Sequence, residues 1–97
     1  MHARQTTFQA DPAKIEDGIR FFREQALPGL RQMGARSALL LADRQTGKVT
    51  AISLWESAEA AQTAETTGGA LRAQGTQILG AAAPTAAVFE VIVMEDF

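Results

Sequence analysis

At 97 residues with no cysteine, a net charge of −2 and 46% hydrophobic residues, the chain has room for one domain and none for a disulfide framework or a thiolate metal site. No basic stripe is present to release counterions from a nucleic acid, and the aromatics are not interleaved with Lys or Arg, so no nucleic-acid partner is expected. No run approaches membrane-spanning length, and His2-Ala3-Arg4-Gln5-Thr6-Thr7 lacks the apolar stretch of a signal peptide; no membrane partner and a cytoplasmic location are the expectation.

Ala3 to Gln9 is short, Thr-rich and closes on Phe8-Gln9, which suits a strand. Asp11-Pro12 reads as a helix start: the carboxylate can accept from free backbone N–H groups, and Pro loses nothing at the first helical position. Ile15, Ile19, Phe22 and Ala26 then follow at helical spacing. Pro28-Gly29 is expected to end or kink this helix, and Gly34 to close the segment. Arg36 to Ala42 and Val49 to Trp55 flank the polar run Asp43 to Lys48, a hairpin pattern in which Gly47 supplies the positive φ.

Ser57 is placed to cap a second helix with Glu59 in its first turn. Ala61, Ala64, Gly68, Leu71, Gly75 and Ile78 form one stripe of mostly small residues, suited to lying close against a sheet, and Gly68-Gly69 is a natural break. Ala86 to Met94 is expected as the last strand. The order β-α-β-β-α-β predicts an α+β, ferredoxin-like domain spanning 1–97, a four-stranded antiparallel sheet with two helices on one face. Leu39 to Leu41 and Ala87 to Met94 are apolar at both parities, whereas the helices can cover only one face. A homodimer joined through the sheets is therefore expected, a dimeric α/β barrel.

Trp55-Glu56-Ser57 at a strand-to-helix corner, Leu27-Pro28-Gly29-Leu30 late in the first helix and Asp43 to Gly47 in the hairpin resemble the antibiotic biosynthesis monooxygenase-like family of dimeric α/β-barrel proteins. The resemblance implies a small cavity between the sheet and helices of each subunit. Its expected ligand-pocket residues are Trp55, Ser53 and Thr7 from the strands, Phe22 and Leu71 from the helices, and Glu90 from the last strand. It also implies chemistry of two kinds, cofactor-independent oxygenation of phenolic substrates or haem degradation. Both typically rely on an Asn in the cavity, and haem degradation needs a His on the second helix. This sequence has no Asn and no Tyr, and its single His is His2, so neither haem, any other cofactor nor a metal is expected. No catalytic residue is identified.

Two functions follow. One is a pocket protein for a small aromatic ligand, resembling the cofactor-independent monooxygenases; the other is a non-catalytic dimeric binding or accessory module. Trp55 is either a wall of the pocket or a core anchor, and burial is the commoner role for so large a ring. Glu90 lies between Val88 and Ile92, where a carboxylate serves either as a general base or as a charge that blunts an edge strand. Arg4 and Arg36 lie on predicted strands and could reach an acidic ligand, or Glu90, across the sheet; surface ion pairs are the commoner role, and His2 is expected to be solvated.

Overall fold

In a computed structural model describing residues 1–97, four strands form one antiparallel sheet: β1 (His2–Gln9), β2 (Ser37–Ala42), β3 (Lys48–Trp55) and β4 (Thr85–Glu90), in the order β2-β3-β1-β4. Two helical arms connect them, giving the ferredoxin-like topology. Register decides which side chains face the helices. Arg4 lies between Ser53 and Val88, Thr6 between Ala51 and Ala86, and Phe8 opposite Val49. Ala38, Leu40 and Ala42 of β2 continue these rows.

The first arm opens on a 3₁₀ turn at Pro12–Lys14, where the Asp11 carboxylate accepts from the Ala13 N–H at 3.0 Å. It continues through α1 (Ile15–Phe21), a π-helical stretch over Phe22–Ala26, and α2 (Leu27–Gln32). Pro28-Gly29 thus does not end the arm. The Leu27 N–H reaches back to the Phe22 carbonyl, a five-residue step. That wider turn relieves the crowding that the Pro28 ring would otherwise impose on the preceding turn. Gly34, at φ 101°, closes the arm as expected.

The Asp43 to Lys48 hairpin is held by one carboxylate: Asp43 Oδ1 accepts from the Gln45 and Thr46 N–H groups at 2.9 and 3.2 Å. These two bonds hold the Asp43 carboxyl below its usual range. Ser57 caps the second arm by accepting from the Ala60 N–H at 3.1 Å. This arm comprises α3 (Ala58–Thr67) and α4 (Gly69–Ile78), divided at Gly68 as the glycine pair predicts.

The last strand is shorter than expected. His2 pairs with Glu90 and the Val91 N–H bonds the Met1 carbonyl; residues 91–97 beyond that point have no regular structure. A strand needs a hydrogen-bonding neighbour, and beyond Val91 this chain offers none.

Two apolar clusters sit between helices and sheet. One joins Phe8, Ala10, Ile15, Val49 and Leu79; the other joins Trp55, Ala61 and Ala64, with Leu30 and Met33 against it. The opposite face of the sheet is uncovered in the single chain and carries exposed Leu39, Leu41 and Phe89. No helix is long and apolar enough to cross a membrane.

Candidate functional site

Between the two clusters the helix-facing rows of the sheet turn polar, with Arg4, Thr6 and Ser53 all buried. A cavity of about 100 Å³ lies at this transition, open on one side. Phe8, Ile15, Val49 and Leu79 contribute from the first cluster; Leu30, Met33 and Ala64 contribute from around the second. Apart from Thr6, the only polar side chains on its wall are two arginines, Arg4 from β1 and Arg72 from α4.

The arginines are held but not satisfied. The Arg4 side chain is only 10% exposed, and its Nη2 stands 3.8 Å from a carboxylate oxygen of half-exposed Glu65. That is an ion pair too long for a hydrogen bond. Arg4 Nε and Nη2 consequently have no hydrogen-bond partner, and neither has Arg72 Nη1. The other terminal nitrogen of Arg72, Nη2, donates to the Glu65 carbonyl at 3.1 Å and fixes the guanidinium against the end of α3. Burial, and secondarily the charge of Arg72, holds Arg4 below the usual arginine range, while Glu65 acts in the opposite direction. Arginine nevertheless stays protonated at neutral pH. The site therefore concentrates positive charge within an apolar wall, an arrangement suited to binding rather than to proton transfer. No side chain on the wall is an ordinary general base.

No protein-family model matches the chain. Two uncharacterised proteins of Mycobacterium tuberculosis (strain H37Rv) are 44% and 39% identical to it over 61 residues, 62% of this chain but 27% and 26% of theirs. The matched chain thus spans about a quarter of the length of these curated relatives. Among solved structures, a Deinococcus radiodurans protein assigned as an antibiotic biosynthesis monooxygenase superposes with a TM-score of 0.74 at 15% identity, covering 100% of this chain and 98% of its own. A Streptomyces coelicolor monooxygenase in complex with nanaomycin D gives 0.73 at 20% identity, covering 98% and 92%. A cofactor-independent oxygenase of Streptomyces nogalater gives 0.61 at 21%, covering 96% and 92%.

This chain has the antibiotic biosynthesis monooxygenase-like fold.

Within that fold, Phe22 and Leu71 line the cavity. Trp55, Ser53, Thr7 and Glu90 do not. Trp55 is fully buried in the second cluster, one layer behind Ala64, Leu30 and Met33. Its indole N–H is occupied by the Ser53 hydroxyl. Thr7 has the parity of the uncovered sheet face, opposite to Thr6 and Phe8. Glu90 is exposed at the end of edge strand β4, across from His2.

The ion pairs also differ from expectation. Arg36 does meet Glu56 at the surface, whereas Arg4 points inward. His2 is half-buried with Nδ1 unpartnered, not solvated. Sequence reasoning missed Arg72 and Thr6 as wall residues. The available signal was positional: Arg72 lies four residues after Gly68 and three before Gly75, on the helical stripe itself. Thr6 lies between Arg4 and Phe8 in the alternation of β1.

Proposed function

We propose that residues 1–97 form one dimeric α/β-barrel domain that holds a small organic molecule in the helix–sheet cavity, as a binding module and not as a catalyst. The carrying observation is the cavity itself, an apolar chamber built from both helical arms and the sheet and open on one side. Pockets of this kind, apolar with a few convergent polar groups, are where small molecules bind. The Streptomyces coelicolor monooxygenase of the same fold was solved with nanaomycin D, which supports ligand binding as a use of this architecture.

Size narrows the ligand. An engineered apolar cavity of about 150 Å³ accepts benzene; this one is about 100 Å³ and open, so it suits a single ring with one end at the mouth. The wall offers neither the Asn, His nor Tyr that oxygenase chemistry on this fold would draw on, which favours binding over oxygenation. A dimer through the uncovered sheet face, with its exposed Leu39, Leu41 and Phe89, gives the second apolar surface a cover.

Ala51 lies on the cavity wall beside Thr6, and Ala51→Leu would fill the space without adding charge. Ligand-observed NMR should show a neutral single-ring probe such as benzamide bound to the wild type and released from this variant. Equal binding by both proteins, or a wild type that binds neither benzamide nor its anionic counterpart benzoate, would refute the cavity as the ligand site.

A further inference from the structure

We infer that the cavity selects a monocyclic or similarly small organic acid, whose carboxylate is clamped by the free Nε–Nη2 edge of Arg4 and by Nη1 of Arg72. The inference rests on the cavity reading above and adds the chemical class of the ligand.

Three unpartnered guanidinium nitrogens at one cavity require an explanation. A buried donor without an acceptor is unfavourable, and more so when charged. Two like charges sharing an apolar wall add repulsion, and Glu65 offsets it poorly from 3.8 Å with a half-exposed side chain. An anion placed here would supply the missing acceptors and offset the repulsion.

The pattern of unpaired atoms also specifies the anion's shape. Nε and Nη2 lie on one side of the Arg4 guanidinium, and their N–H bonds run nearly parallel. This is the fork that meets both oxygens of a carboxylate. Arg72 is pinned through Nη2 to the Glu65 carbonyl, so its Nη1, buried and unpartnered, is already held in place beside the cavity. Pre-organisation of this sort lowers the entropy cost of binding. The remainder of the ligand meets Phe8, Phe22, Leu71 and Leu79, which reward an apolar ring or short chain and give a polar body no partners.

Benzoate and benzamide differ little in shape and differ in charge, so their affinities separate the two ideas. Calorimetric titration of the wild-type protein at neutral pH should show benzoate binding at least about tenfold tighter than benzamide, as expected when charge-assisted bonds replace neutral ones. Arg72→Met should collapse that ratio toward one by weakening benzoate far more than benzamide, and Arg4→Met should do the same where it folds. Equal wild-type affinities would overturn the acid assignment and leave the cavity reading standing. A preference for benzoate that survives Arg72→Met would also overturn it, placing the acid elsewhere. Binding of neither compound would remove the cavity reading and this inference together.

Discussion

The indole N–H of Trp55 donates to the hydroxyl of Ser53, two residues earlier on β3, at 2.8 Å with both side chains buried. The bond satisfies the one polar atom of a fully buried ring, as a core anchor requires. Trp55→Ala is expected to cost about 3–5 kcal/mol in denaturant unfolding through the cavity left among Ala61, Ala64 and Met33. Ser53→Ala should cost about 1–3 kcal/mol by orphaning the N–H. Iodide should leave the wild-type fluorescence, which comes from this one Trp, unquenched. Quenching comparable to that of a free indole would show the ring to be exposed.

The uncovered sheet face leads to an assembly prediction. Leu41 of β2 is 50% exposed and Phe89 of β4 is 52% exposed. Sedimentation of the wild type should give a dimer at micromolar concentration, and Leu41→Glu should give a folded monomer with an unchanged far-ultraviolet spectrum. A wild-type monomer would remove the proposed barrel.

Gly34 and Gly47 both have positive φ, yet their substitutions should differ. A Cβ on Gly34 would meet nothing within 4 Å, whereas one on Gly47 would collide with the Ala10 carbonyl oxygen. Gly34→Ala should therefore cost only the left-handed penalty of about 1–2 kcal/mol. Gly47→Ala must in addition displace backbone, including the 2.8 Å bond from the Ala10 N–H to the Gly47 carbonyl. Thermal midpoints should fall clearly further for Gly47→Ala; equal shifts would mean that this contact relaxes freely.

Asp43 supplies a pH signature. Its folded pKa lies below the ordinary value of 3.8, chiefly because the Thr46 and Gln45 N–H groups bond the carboxylate. The unfolded chain binds the proton more readily, so this contribution to stability is complete above that ordinary value and fades as pH falls through the lower folded one. The stability gap between wild type and Asp43→Ala should be constant near neutrality and narrow on acidification below about pH 4. A gap that widens with acid would contradict the assigned role.

Local chemistry made much of the fold legible in the sequence. Asp11 and Ser57 cap helices because a short acceptor side chain next to free N–H groups acts within one turn. Asp43 and Gly47 specify the hairpin over six residues, and Gly68-Gly69 breaks the second arm because glycine weakens a helix wherever it stands. The two-sided apolar strands marked the uncovered face for the same reason, since alternation along a strand is a local property.

The site was decided at longer range. Arg4 and Arg36 read alike as strand arginines, yet one is buried at the cavity and the other pairs with Glu56 at the surface. What separates them is the pairing of β1 between β3 and β4 in the middle of the sheet, which directs the even-numbered side chains of β1 under the helices, α3 among them. Trp55, Thr7 and Glu90 miss the cavity because a cluster contact, a strand parity and an edge position direct them elsewhere. The sequence by itself determined the elements and their caps, each set by groups a few residues apart. Only the tertiary structure decided which charges share the cavity, because burial and like-charge proximity arise when strands and helices distant along the chain are packed together.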